Sequence, residues 1–319
     1  MAIYGDGGHL MKIRTVLGDI TPEANGFALF HEHLCNSMAP WIDDPDLHFT
    51  EVDLVAEEVR LAAGDGIGLI VDATTPDFGR NVRSLERIAR ESGVPIVAGT
   101  GLYLDMTYPD SARASSEDAL ADQMVDDIEH GIDGSSARAG VLGEIGTSAD
   151  RITDAERKVI RAVAQAHSRT GVAVLTHTAE GRHAIEQLEL YLAAGVAPNR
   201  IVIGHVDCMP DPALHRAIAE RGAFVGFDRI GLLKFGSDEV RADNVVALLE
   251  SGYEDQLLLS QDIGRLSRLR ARGGPGYSGI LTRFWPLLRE RGVPDAVVEK
   301  ILVQNSRRLL AFDPRRPER

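Results

Sequence analysis

The chain has 319 residues, 44% of them hydrophobic, and a formal charge of −14, so it can bury a substantial core as one large α/β domain or two ordinary ones. The acidity argues against nucleic acid or an anionic membrane as partner, because both reward Lys and Arg clusters that this sequence lacks. Two cysteines, Cys35 and Cys208, form no disulfide framework, and no apolar run approaches the roughly 20 residues of a membrane span, so the expectation is a cytoplasmic protein acting on a small molecule.

Residues 1–15, Gly-rich at their start, read as a flexible leader, and residues 16–319 as a single domain. The first strand, Gly26 to His33, is apolar and ends in Phe-His-Glu-His-Leu. Alternate side chains of a strand share a face, so His31 and His33 at its end can hold one metal ion between them. Seven more β-type runs follow: Ile67 to Asp72, Val94 to Gly99, Gly140 to Glu144, Val172 to His177, Arg200 to His205, Ala223 to Asp228 and Gln256 to Asp262. Between them helical periodicity covers Val52 to Ala63, Asn81 to Glu91, Glu117 to His130, Asp154 to Arg169, His183 to Ala194, Pro212 to Arg221 and Asp238 to Ser251. Gly279 to Arg291 and Asp295 to Leu310 follow. Stops at Gly93, Gly171, Gly195 and Gly222 suit left-handed helix ends. Eight apolar strands alternating with helices imply a parallel sheet closed into a (β/α)8 TIM barrel; an open doubly wound sheet is the alternative, weakened by the lack of an early Gly-x-Gly-x-x-Gly.

Barrel active sites form at the C-terminal strand ends, and the polar residues there are concentrated. His31 and His33 end strand 1, Glu144 strand 4, His177 strand 5, His205 strand 6 and Asp262 strand 8. Four imidazoles and two carboxylates suit a pair of divalent ions, Zn2+ first, with Mn2+, Co2+ or Fe2+ as alternatives, and Glu144 is central enough to bridge them. Two such ions would hold a hydroxide between them near neutral pH, with Asp262 orienting it and carrying its proton. Tyr103, Arg182, Asp228 and Arg265 lie at the mouth and are candidate substrate contacts, Arg265 for a carboxylate. Gly273 to Gly276 reads as a mobile loop over the site.

Val16-Leu17-Gly18, Phe30 to Leu34, Thr176-His177-Thr178, Ile203 to Asp207, Leu259 to Asp262, Gly276-Tyr277-Ser278 and Asn305 to Leu309 together resemble the phosphotriesterase family of the amidohydrolase superfamily. The resemblance implies a barrel with a binuclear centre that hydrolyses lactones, esters, phosphotriesters or related amides. It also implies His31, His33 and Asp262 on the more buried ion, His177 and His205 on the more exposed one, and a homodimer as a common assembly. Where many members carry a bridging lysine, this chain has Glu144, as in the phosphotriesterase-related branch, which disfavours phosphotriesters as the main substrate. Rival readings are a mononuclear deaminase with Glu180 as proton shuttle, a metal-dependent DNase and a non-catalytic metal-binding protein.

Overall fold

The computed structural model describes residues 10–23, 26–38 and 40–314. Residues 1–9 of the expected leader lie outside the described residues. The end of that leader is not a leader: Ile13–Thr15 pairs antiparallel with Gly18–Ile20. Ile13 is buried beneath the barrel with Leu309, Leu310 and Ala311, so this ribbon stoppers the end of the barrel away from the mouth. Arg14 fastens it by an ion pair to Asp19 at 3.0 Å and a hydrogen bond to the Ile128 carbonyl at 2.6 Å.

Eight parallel strands stand next to one another in chain order: β1 (Phe27–Glu32), β2 (Ile67–Asp72), β3 (Ile96–Thr100), β4 (Ala139–Thr147), β5 (Ala173–Thr178), β6 (Ile201–Ile203), β7 (Phe224–Phe227) and β8 (Leu257–Leu259). The ring closes where the Asp262 amide donates to the His31 carbonyl at 3.3 Å and the His33 amide to the Ile263 carbonyl at 3.2 Å. The expected TIM barrel is therefore present as a single domain.

Helices α1 (Val52–Gly64), α2 (Val82–Ser92), α3 (Glu117–Glu129), α4 (Asp154–Thr170), α5 (Ala184–Ala193), α6 (Pro212–Glu220) and α7 (Asp238–Glu250) begin and end within a residue or two of the sequence reading. Their ends are chemically marked. Asn81 accepts from the Ser84 amide, Thr153 and Glu156 form a reciprocal cap, and Gly93 and Gly171 take left-handed stops. The next helix departs from expectation, opening as a wide turn over Ile280–Phe284 before α8 (Trp285–Glu290). Pro286 has no amide hydrogen for the regular ladder, which favours the widened turn just before it.

Strand alternation separates two apolar layers. Ala28, Phe30, Leu69, Val71, Val97, Val141, Leu175, Val202, Phe224 and Leu258 fill the barrel, while Leu29, Ile70, Ile96, Val174, Ile203 and Val225 face the helices. Among the described residues no helix is long and apolar enough to cross a membrane. Phe30 is wholly buried at the top of the inner layer, directly beneath the polar strand ends. Phe30→Ala is expected to cost about 3–5 kcal/mol of unfolding free energy, read by denaturant titration.

Candidate metal centre

Two irregularities in the sheet aim side chains at the axis. Leu29 lies opposite Ile70 and Glu32 opposite Asp72, so β1 carries one extra residue against β2. Phe30 can therefore cap the apolar interior while His31, the next residue, still points inward. Between the two histidines, Glu32 turns sideways and accepts from Ser260 Oγ at 2.7 Å and from the amides of Gln261 and Ile263, both at 2.9 Å. Burial pushes its carboxyl up to about 7. The same slip recurs in β4, where Leu142 opposes Val174 and Ile145 opposes Thr176. Gly143 permits it: φ is +149°, and a Cβ there would lie 2.4 Å from the Leu175 carbonyl oxygen. His205 and Asp262, just past β6 and β8, hold left-handed φ of 61° and 50° that turn their side chains over the barrel mouth.

These devices put one carboxylate among four imidazoles. Glu144 Oε1 lies 3.2 Å from His33 Nε2, and Oε2 lies 3.2 Å from His31 Nε2, 3.1 Å from His177 Nδ1 and 3.4 Å from His205 Nε2. Asp262 Oδ1 is 3.2 Å from His33 Nε2 and 4.0 Å from His31 Nε2. Three groups of converging donors result: His31 with His33 and Asp262, Glu144 with His177 and His205, and, beneath these two, His31 with His205 and Asp228. Every one of these residues is buried or nearly so.

The far side of each group is also held. His33 Nδ1 meets Thr74 Oγ1 at 2.8 Å, and Tyr103 OH lies 3.3 Å from His177 Nδ1 and 3.4 Å from its Nε2. Asp228, beneath the cluster, accepts from the His205 amide and meets His205 Nδ1, both at 2.8 Å, and its other oxygen lies 3.2 Å from His31 Nδ1. It thus leaves Nε2 of both histidines aimed at the centre. Burial alone would raise the Glu144 carboxyl, but His31, His177 and His205 hold it well below the usual range. Burial and the neighbouring His205 push His177 down to about 4, so at neutral pH it offers a lone pair.

This donor set fits two divalent cations. It is made of imidazole nitrogen and carboxylate oxygen, as borderline ions prefer, and both ring nitrogens of His31 are buried with a carboxylate oxygen 3.2 Å away but without a well-formed hydrogen bond.

Above the cluster lies a cavity of about 180 Å³ whose lining includes Phe78, Tyr103, Arg229, Lys234, Phe235 and Arg265. Of the four mouth residues proposed from sequence as substrate contacts, Tyr103 and Arg265 line it. Arg265 also pairs with Asp44 at 2.7 Å. The other two do not line it. Asp228 sits under the imidazoles and Arg182 is exposed, because the chain after β5 turns outward through left-handed Glu180 and Gly181. Glu180 is exposed too and does not line the cavity. The Gly-rich run is no free lid: Glu58 accepts from the Arg270 and Ala271 amides at 2.9 and 2.8 Å, and Gly274 and Gly276 donate back to Leu269 and Arg268. Sequence reasoning missed Arg229 and Lys234. Arg229 Nε holds Asp262 Oδ2 at 3.0 Å, and the signal for it was its place one residue past the end of strand 7.

The model of the Phosphotriesterase family matches residues 11–310. The phosphotriesterase homology protein of Escherichia coli is 36% identical over 89% of this chain and 97% of its own. Its crystal structure, complexed with phosphate in the active site, superposes with a TM-score of 0.88 over 90% of this chain and 99% of that one. A lactonase from Listeria monocytogenes superposes with a TM-score of 0.89 at 31% identity, over 94% of this chain and 99% of that chain. An N-acetyltaurine hydrolase of Danio rerio is 33% identical over 94% of this chain and 98% of its own.

Asp228→Asn should weaken binding of both cations about 10- to 100-fold, since Asp228 orients one histidine from each donor group. Metal content after dialysis against a graded chelator measures this.

Proposed function

The chain belongs to the Phosphotriesterase family, and from that premise we propose that it is a binuclear metal-dependent hydrolase of a small lactone or N-acyl amide bearing an anionic group. The observation that carries this reading is the pairing of two cavity walls, one made of clustered metal donors and the other of Arg229, Lys234 and Arg265. Arg229 is spoken for by Asp262 and Arg265 by Asp44, but Lys234 has no ion-pair partner among the described residues. Lys234 Nζ and the Arg229 guanidinium each lie 4.4 Å from the Phe235 ring, so cations crowd one wall of a strongly acidic protein. Lys234 is exposed, and partial desolvation, followed by Arg265 and Arg229, lowers its pKa in spite of Asp262 and Glu180, a cost that an anionic substituent would offset. A cavity of about 180 Å³ suits a small substrate, since drug-sized ligands take roughly 300–1,000 Å³.

His31, His33 and Asp262 would hold one cation, His177 and His205 the other, and Glu144 would span the two. When bound, the pair supplies Lewis acidity that polarises a carbonyl and brings the pKa of water toward neutrality. Asp262 Oδ1, facing the donor cluster, accepts the proton of the attacking water. As the new carbon–oxygen bond forms and the bond to the leaving group breaks, Asp262 passes that proton to the leaving oxygen or nitrogen. Against the pull of burial, the hydrogen bond from His33, then His205 and the Arg229 guanidinium on Oδ2, hold the carboxyl well below its usual range and so keep it anionic beforehand. Tyr103, whose phenol burial keeps protonated and which lines the cavity, would donate to the carbonyl oxygen. Relatives that are a lactonase and an amide hydrolase support this substrate class over phosphotriesters.

Chelator-treated protein should lose turnover of paired lactone and N-acyl substrates and regain it on adding zinc or manganese. Asp262→Asn should lower kcat by about 10²-fold or more, and full turnover with both metals retained would refute the proton role. Lys234→Ala should raise KM for an anionic lactone about tenfold while leaving its neutral analogue within about twofold. Steady-state kinetics on the matched pair reads both constants.

A further inference from the structure

Arg241 is the largest fully buried side chain of the described residues, 1% exposed, and it lies on α7 outside the cavity lining. A buried guanidinium needs partners, and those of Arg241 are two carboxylates, Asp207 and Asp238, and two carbonyls of the loop 229–236. Its Nε donates to Asp207 Oδ2 at 2.7 Å, and the same oxygen accepts the Arg229 amide at 3.2 Å. One terminal nitrogen reaches the Leu232 carbonyl at 3.2 Å. The other reaches the Gly236 carbonyl at 2.7 Å and Asp238 Oδ1 at 3.1 Å, and that oxygen also accepts the Gly231 amide at 2.8 Å. Residues 229–236 are thus tied at four points to one side chain and its two carboxylates. The segment has little regular structure of its own beyond the short turn Leu233–Phe235. It carries Arg229, Leu232, Lys234 and Phe235 to the cavity wall.

We propose that Arg241 is a positioning residue for substrate selection: by clamping residues 229–236 from beneath, it sets where Lys234 and Phe235 stand and thereby the preference for an anionic substrate. The inference rests on the anion reading given above. It concerns a residue that touches neither substrate nor metal donors. The planar fork is essential to it. A lysine ammonium offers one point of attachment where the guanidinium spans Asp207 on one side and two carbonyls on the other.

The test compares wild type with Arg241→Lys and with Asp238→Ala, which removes one arm of the clamp at the surface and keeps the assay alive if the buried substitution does not fold. Thermal melts and metal content establish that each variant is folded and loaded. KM and kcat are then measured for an anionic lactone and its neutral analogue, and amide hydrogen exchange is followed over residues 229–236. The expected result is a KM for the anionic lactone raised about tenfold, neutral-lactone kcat within about threefold, and faster exchange confined to that segment. Folded, loaded variants that keep the wild-type ratio of the two KM values overturn the role of Arg241. A wild-type enzyme that treats both lactones alike overturns the anion reading instead, and the selectivity claim with it.

Discussion

One carboxylate held within 3.4 Å of four imidazoles is the constraint around which this protein is built. Glu144 and its histidines are drawn from four different strands and are buried, so nothing local holds them together. The barrel does so by converging every strand end on one rim, and two sheet irregularities complete the aim. Behind the cluster stands a second row in which Thr74, Asp228, Tyr103 and Arg229 each hold the outer side of a donor. That row restricts the rings to orientations useful to a cation, which is the order expected of a site assembled before its ions arrive.

The barrel and the convergence of six imidazole and carboxylate side chains at its mouth were legible in the sequence because they rest on periodicity and on position. Near-continuous apolar strands alternating with capped helices leave few architectures, and in a closed barrel the end of each strand has a known address. The directions of side chains beyond those ends were less legible. Asp228 ends strand 7 just as His177 ends strand 5, yet it falls beneath the imidazoles, and its neighbour Arg229 reaches the cavity. Arg182 does not reach the cavity because two left-handed residues, Glu180 and Gly181, carry the chain outward after β5. Ile13 was lost in a Gly-rich opening although it packs under the barrel, and the glycines of 273–276 suggested freedom that Glu58 removes through two backbone amides. For Ile13 and for the Gly-rich run the deciding contact lies far away in the chain and leaves no local pattern.

Membership of the Phosphotriesterase family narrows the chemistry to hydrolysis without naming the bond, since relatives include a lactonase and an N-acetyltaurine hydrolase. In this chain the choice falls to the loops. On the proposed reading the donor cluster would supply a general means of attacking an acyl group, while residues 229–236 and Arg265 place positive charge along one wall of a small cavity. An acidic protein that concentrates cations there is expected to select its substrate by charge as well as by shape.

The most direct test of the account is an anomalous-scattering map of the crystalline protein loaded with zinc or manganese. Two peaks about 3.5–4 Å apart, one on each side of the Glu144 carboxylate, are predicted. A single peak, or Glu144 turned away from His31, His33, His177 and His205, would contradict it.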